Sequence, residues 1–487
     1  MSHETYGLVK KSARQKISCA LKATTCNAGH RTVLTQAAIT AIETPFNDRG
    51  VICSPQIQIV RPTGAAPQID VEVYAHPIGT EWIASTCWHA AIGNLPGRGV
   101  LPNDRSVHYA SQTEAIEAAL NGALRQVEST LGDKADAKPW LGQKESLRGW
   151  VANTVADVRA KDTSLPLHGV TVMDLCAGIG ALALGFVNHG ATVELACEID
   201  DAALSIYKKN LKPKAVYKDL CQLISKGLKC GILTIGMVCT AFSKAGNQQG
   251  LTDPVLALVY AKILEHVHNI MARAVVIECA PELLTINNGQ DAAKVRKALM
   301  AAGYMVQHRT LEAANFGVAQ FRKRSFIVGI RIGEPVDDLM GYLFPTESAP
   351  TGTVEDILDK SVPGDIDASR LTFHKPLPTH RMQKRAVVGR IDGKKYQGNR
   401  VYSPKGVGAT LTASGGGVAR CTEAYLMEDG TARGLTARET CRMQGLPEWF
   451  VHHENPHKAR KQSGNAVAVP VSHAIARQLG AVLGSRT

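Results

Sequence analysis

"GVTVMDLCAGIGALALGFVNHGATVELACEID", Gly169–Asp200, sets two apolar runs on either side of a glycine turn and a helix-like stretch. GVTVMDLCAG reads as a buried strand, ALALGFVNHG as a helix stopped by Gly190, and ATVELACEID as a second strand ending in acids. The turn DLCAGIG, Asp174–Gly180, follows a strand and opens a helix, and Glu198 lies twenty residues beyond Gly178 at the end of the next strand. Glycines let the backbone approach a ligand, and a carboxylate at that point accepts both hydroxyls of a ribose. The pattern fits a nucleoside cofactor; glycine used for turn geometry alone is the other reading. The third glycine of the dinucleotide fingerprint is missing, which argues against NAD.

The same alternation continues downstream. A helix through AALSIYKKN is followed by the short strand AVYKDL and a third buried strand, GILTIGMVC. Pro254 then opens the long helix PVLALVYAKILEHVHNIM, and AVVIECAP is the next strand. The rhythm predicts a mainly parallel sheet covered by helices on both faces, with ligands beyond the carboxyl ends of its strands. Upstream, residues 1–150 read as a separate α+β module of open role. VICSPQIQIV and IDVEVYAH alternate like strands, and SQTEAIEAALNGALRQVEST reads as a helix capped by Ser111 or Thr113. Trp88 and His89 in STCWHAA read as a packed aromatic and a satisfied histidine. After Ile332 the pattern becomes irregular, and it closes with LTARETCRMQGLP and the helix PVSHAIARQLGAVLG.

With 487 residues and 45% hydrophobic content the chain has enough apolar material for two or three domains. No run of about 18 apolar residues suggests a membrane span, and the start MSHETYGLVKKSARQK lacks the apolar segment of a signal peptide. The 12 cysteines show no C-x-x-C pairing, so the reading is of reduced thiols in a cytoplasm, without a metal knuckle. The net charge of +12 attracts polyanions. Much of it lies between Leu371 and Gly406, where Lys375, Arg381, Lys384, Arg385, Arg390, Lys394, Lys395, Arg400 and Lys405 face the single acid Asp392.

In GMVCTAFSKAGNQQG, Gly236–Gly250, Cys239 ends an apolar strand and precedes a polar, glycine-rich loop. It reads either as a buried strand-end thiol or as a nucleophile at the edge where parallel sheets carry their active sites. Glu278 ends the neighbouring strand and points to the same edge. In QFRKR, Gln320, Arg322 and Arg324 alternate onto one strand face, and cations near a thiol favour its thiolate.

Taken in order, DLCAGIG, ACEID, VCTAFSKAG, IECAPE, QFRKR, GLTARETCRMQGLP and QSGNAVAVPV resemble the DNA (cytosine-5) methyltransferase family over Gly169–Gly484. The resemblance implies an α/β, Rossmann-like S-adenosylmethionine-dependent methyltransferase fold at 165–331, a smaller target-recognition domain at 332–432 and a C-terminal return at 433–487, beside the N-terminal α+β module. It implies S-adenosylmethionine on Asp174, Cys176, Ala177, Gly178, Ile179 and Gly180, with Glu198 and Ile199 at the ribose and Asp219 and Leu220 near the adenine. Asn465, Ala466 and Val467 complete that pocket. The implied chemistry is addition of the Cys239 thiolate to C6 of a cytosine flipped out of duplex DNA, with Glu278 at N3, Arg322 helping to anchor base and adduct, and Gln320 and Arg324 beside them in the catalytic set. Ser243 and Lys244 belong to a loop that closes over the base, and Thr410 and Leu411 to the part that approaches base edges. The resemblance further implies a monomer in a bacterial or phage-infected cell, on the nucleoid when bound to DNA, with no metal and no membrane.

The chain departs from the family pattern at three places. Val238-Cys239-Thr240 stands for the usual Pro-Cys-Gln, Glu278-Cys279-Ala280 for Glu-Asn-Val, and Cys176 for a phenylalanine that packs on the adenine. A catalytically silent DNA-binding protein on the same scaffold, or an enzyme acting on a modified pyrimidine or RNA, is the alternative.

Overall fold

Strand and helix propensities place a sheet of mostly parallel strands at the centre of the chain and smaller antiparallel sheets on either side in sequence. The computed structural model describes residues 57–60, 69–78, 81–90, 98–99, 108–109, 111–131, 141–237, 242, 249–333, 342–413 and 423–483. In the N-terminal module, β1 (Ile57–Val60), β2 (Ile69–Ile78), β3 (Glu81–Ala90) and β4 (Arg98–Gly99) pair in that order, with β5 (His108–Tyr109) also on β3. Helix α1 (Gln112–Leu131) packs on β2 and β3. Ser111 is its cap, its Oγ accepting the Glu114 amide at 3.1 Å, whereas the Thr113 hydroxyl donates to Asp162 Oδ2 at 2.6 Å. Trp88 and His89 lie on β3 opposite Val71 and Asp70; their side chains are outside the described residues.

Helix α2 (Leu141–Lys161) runs on past residue 150. It is not legible in the sequence because its apolar residues are spread around the helix and form no stripe. Val71 and Val73 of β2, Leu120 and Leu124 of α1 and Val151 of α2 share one apolar cluster with Leu184, Trp449 and Phe450. The N-terminal module is therefore joined to the rest of the chain by a continuous core.

The central sheet is ordered β11-β12-β10-β9-β6-β7-β8. Its members are β6 (Thr171–Leu175), β7 (Thr192–Cys197), β8 (Ala215–Tyr217), β9 (Ile232–Gly236), β10 (Ala274–Cys279), β11 (Tyr304–Glu312) and β12 (Lys323–Arg331). Strands β6 to β10 are parallel, and β12 runs antiparallel to both of its neighbours. The connecting helices are α3 (Ala181–Val187), α4 (Asp201–Leu211), α5 (Pro254–Ile270) and α6 (Gln290–Ala301). Asp200 caps α4, and Asp253 caps α5 ahead of Pro254 at its first position. The chain leaves β6 towards β7 and later returns on its other side as β9, so the order reverses between β6 and β9. A crevice at such a point is where doubly wound sheets bind ligands.

The second lobe is a small sheet, β13 (Leu371–Phe373), β14 (Val387–Ile391), β15 (Arg400–Tyr402), β16 (Ala424–Leu426) and β17 (Ala432–Arg433), in that order. The chain then re-enters the first lobe through α7 (Ala437–Met443), α8 (Pro456–Asn465) and α9 (Val469–Leu483). The stretch Pro456–Leu483 matches a membrane span in length and composition, but it bends at Ala466 and most of it is buried inside the protein. Helix α9 lies directly on α3 at Gly185, where an added Cβ would fall 2.5 Å from the His473 amide nitrogen.

Asp174, at the end of β6, is fully buried, and its Oδ1 accepts the Thr234 hydroxyl of β9 at 2.7 Å. Burial pushes its carboxyl from 3.8 up to about 7, against the opposing pull of the Thr234 and Tyr207 hydroxyls. A folded-state value above the ordinary one means that folding favours the protonated form. That stabilisation is complete below about pH 4 and is lost as the pH rises through about 7. Asp174→Asn, which cannot ionise, is expected to gain in Tm relative to the parent between pH 4 and 7, with the difference then levelling off in a thermal-shift series; an offset that stays constant with pH contradicts this.

Candidate active site

The glycine turn between β6 and α3 is held open by one carboxylate. Glu198, just past β7, accepts the Gly178 amide on Oε2 at 2.7 Å and the Asp200 amide on Oε1 at 2.8 Å. The Ala177 amide donates to the Cys197 carbonyl at 3.0 Å, completing the tie between turn and strand. Cys176 (φ +52°), Gly178 (φ +55°) and Gly180 (φ +90°) take the left-handed backbone that the turn requires, and for Cys176 that is costly. Burial pushes the Cys176 thiol well above its ordinary range, so it is not a reactive thiol.

Around the turn, Ala177 and Ile179 are buried, while the apolar side chain of Ile199 is 78% exposed beside Glu198. Asp219 caps the short turn that follows it, accepting the Cys221 amide at 2.8 Å. The next carbonyl, that of Leu220, is fixed by His266 Nε2 at 2.9 Å, and Ser225 Oγ contacts the other ring nitrogen at 2.8 Å. His266 is fully buried, and in the sequence a histidine within the apolar stretch of α5 carries no signal of this second task. Ala466 and Val467 are buried and Asn465 is exposed at the end of α8. Asp174 lies beneath the turn with no exposed surface, so its place is structural support of the turn.

Glu278 closes β10. It is 4% exposed and pairs with Arg324 Nε at 3.0 Å. Burial raises its carboxyl above the ordinary range, and Arg324 and then Arg322 pull it back only in part. The Glu278 carbonyl accepts the Met237 amide at 2.8 Å, which fastens the end of β9 two residues before Cys239. Cys239, Ser243 and Lys244, with the neighbouring Val238 and Thr240, lie outside the described residues. Phe242, within the same stretch, is buried in a cluster with Leu256 and Leu283. Cys279 is also buried.

Gln320 and Arg322 lead into β12 and are both buried. Gln320 Nε2 donates to the Met443 carbonyl at 3.1 Å and to Gln444 Oε1 at 3.2 Å, and its Oε1 accepts the Leu411 amide at 2.8 Å. Arg322 donates from Nη1 to the Leu411 carbonyl at 3.0 Å and from Nη2 to the Gly464 carbonyl at 2.8 Å. Thr410 Oγ1 donates to the Phe321 carbonyl at 2.6 Å. Thr410 and Leu411 are thus brought to the site as anchors of the second lobe, with the Leu411 side chain buried. Gln444 adds bonds from Nε2 to the carbonyls of Ser463 at 2.6 Å and Ala466 at 3.3 Å. Its position in GLTARETCRMQGLP was visible, but nothing in that stretch reveals that a glutamine links three separate segments. Among the described residues no group of His, Cys, Asp and Glu could hold a metal ion.

These features converge on one edge: a carboxylate-tied glycine turn, a buried glutamate with an arginine partner, and a second lobe fastened to the strand beside them. A model of the C-5 cytosine-specific DNA methylase family matches residues 170–481. The type II methyltransferase M.HhaI of Haemophilus parahaemolyticus is 30% identical over 325 residues, covering 65% of this chain and 96% of the relative. M.Bsp6I of Bacillus sp. is 28% identical, covering 63% and 98%, and M.SsoII of Shigella sonnei is 30% identical, covering 64% and 81%. With the site on the carboxyl edge that such a sheet provides, and with the match spanning that sheet, the second lobe and the return, the chain belongs to the C-5 cytosine-specific DNA methylase family.

Proposed function

We propose that the chain methylates C5 of a cytosine flipped out of duplex DNA, through a transient bond between Cys239 and C6. The observation that carries this reading is the joint between β9 and β10. The Met237 amide on the Glu278 carbonyl holds the start of the Cys239 segment against the residue whose buried carboxyl faces Arg324.

The turn suits S-adenosylmethionine. Each Glu198 oxygen accepts one backbone amide and keeps lone-pair capacity for ribose hydroxyls, and the exposed Ile199 beside it offers an apolar surface to an adenine ring. Asp219, Leu220 and the Asn465–Val467 segment are the further residues that would hold it. When bound, S-adenosylmethionine supplies an electrophilic methyl group.

The remaining steps fall to the chain's own residues. Cytosine C5 is a poor nucleophile while the ring is aromatic and stacked, so the base leaves the helix and the Cys239 thiolate adds to C6. Negative charge then moves towards N3. Glu278, its carboxyl kept easy to protonate by burial, shares a proton with N3 and stabilises that charge. Arg324 holds the Glu278 carboxyl in place, and Arg322 anchors the segment on which the base rests. After methylation, loss of the C5 proton and departure of Cys239 restore the ring. Val238 and Thr240 replace the usual residues around the nucleophile, so positioning of the thiol falls to the Met237 tie.

Duplex DNA in which 5-fluorocytosine replaces cytosine cannot lose the C5 substituent as a proton. With S-adenosylmethionine present it is expected to trap the protein in a complex that survives denaturing electrophoresis, and Cys239→Ala is expected to abolish that complex. Trapping that persists in Cys239→Ala, or that never occurs, contradicts the nucleophile assignment. Glu278→Gln keeps the size of the side chain but cannot exchange the proton; single-turnover methylation is expected to slow by roughly 10²- to 10⁴-fold, whereas an unchanged rate removes Glu278 from the proton step.

A further inference from the structure

The Met237 tie holds only the first end of the segment that carries Cys239. At the other end the Leu251 amide donates to Asp291 Oδ2 at 2.8 Å, and the same oxygen accepts Asn287 Nδ2 at 3.1 Å. Asp291 stands in the first turn of α6 and has no exposed surface. A carboxylate in a first turn favours the helix dipole without being buried, whereas a buried one is costly unless partners meet it. Among the described residues its hydrogen bonds come from Leu251 and Asn287 alone, and Lys294 Nζ lies 3.6 Å from the other oxygen. The helix dipole therefore explains the acid at this position but not its burial, which serves the reach across to Leu251.

The backbone ahead of α6 is bent to the same end. Asn287 (φ +49°), Asn288 (φ +55°) and Gly289 (φ +77°) are left-handed in succession. Asparagine takes that conformation as a single residue rather than in runs, so the turn is strained. It is this turn that carries the Asn287 amide to Asp291. On the facing side Gly250, left-handed at φ +59°, comes so close that an added Cβ would collide with Asp291 Oδ2. Both ends of the Cys239 segment are thus fastened to one stretch of chain: Met237 to the carbonyl of Glu278 where the stretch begins, and Leu251 to the carboxylate of Asp291 where it ends. Midway along it, Leu283 shares an apolar cluster with Phe242 of the segment. We propose that Asp291 is a positioning residue for methyl transfer, fixing the far end of the Cys239 segment to the same connection that carries Glu278 and so setting the thiol's approach to the base. The proposal rests on the reading of Cys239 as nucleophile.

The test follows covalent trapping by the full chain on duplex DNA containing 5-fluorocytosine, with S-adenosylmethionine present and both at saturation. Asp291→Ala is expected to slow trapping by about 10²-fold, the cost of a reacting atom misplaced by about 1 Å, with the dissociation constants for DNA and S-adenosylmethionine unchanged. Asp291→Asn, whose side-chain oxygen still accepts the Leu251 amide, is expected to restore most of the rate. An unchanged rate in Asp291→Ala overturns the proposal. A loss of cofactor affinity in step with the rate also overturns it, since that would assign Asp291 to general support of the fold. Should Asp291→Ala fail to fold, Asn287→Ala decides, because it leaves the carboxylate in place and removes one of its two hydrogen bonds from an exposed position. Slower trapping with unchanged cofactor affinity supports the proposal there, and an unchanged rate overturns it. A parent protein that never traps DNA overturns the nucleophile reading and the assignment of Asp291 together, whereas trapping by the parent at a rate that Asp291→Ala matches overturns the assignment alone.

Discussion

A fully buried carboxamide cannot be left without partners, and in this protein the side chain of Gln320 finds all of its partners in other parts of the chain. Its nitrogen is satisfied by Met443 and Gln444 after α7, and its oxygen by Leu411 of the second lobe. An unmade bond at either end costs about 1–3 kcal/mol. The segment leading into β12, the second lobe and the C-terminal return therefore have one mutual arrangement. Arg322 adds a stronger form of the same constraint, since a buried guanidinium must be met by carbonyls, and two of these come from Leu411 and Gly464. What looks in the sequence like a cationic face for the thiol is, for Gln320 and Arg322, largely the fastening of the molecule. Arg324 alone of the three pairs with the glutamate.

The N-terminal module reaches the same fastening from the other side. Glu448, three residues beyond Gly445 on the loop after α7, has its amide held by Asn121 of α1 at 3.0 Å, and its carboxylate meets Arg442 at 2.7 Å and Arg125 at 3.3 Å. Arg442 also donates to the Ile357 carbonyl of the second lobe at 3.2 Å. The buried bidentate pair of Arg433 with Glu439, both bonds at 2.7 Å, secures the first turn of α7. Helix α7 is short, yet three regions of the chain meet on it, and its capping box from Thr436 to Glu439 is part of the same charge network.

Much of this was legible in the sequence. The alternation from Gly169 to Pro281 marked the parallel strands, because each reads as an apolar run closed by a glycine, a proline or an acid. The turn at Asp174–Gly180 and the acid at Glu198 were found for the same reason: their spacing is set by local geometry. The parts that depended on distant partners were not legible. Leu411 carries no chemical signature of an anchor, since its contribution is its amide and carbonyl. Its place in the motif puts Asp174 among the cofactor residues, whereas in the fold it is fully buried and its carboxylate accepts the Thr234 hydroxyl. Helix α2 has no signature in the sequence because its apolar residues show no stripe, and the link between α1 and Glu448 is a tertiary contact across 327 residues.

Transfer of a methyl group to cytosine with Cys239 as nucleophile is the proposal on which the function of the protein turns. The most direct measurement is nucleoside mass spectrometry on DNA from a methylation-deficient host expressing the protein, beside the Cys239→Ala variant expressed to the same level. 5-Methylcytosine is expected from the parent protein and none from the variant. Its absence from both, or its persistence in the variant, would contradict the claim.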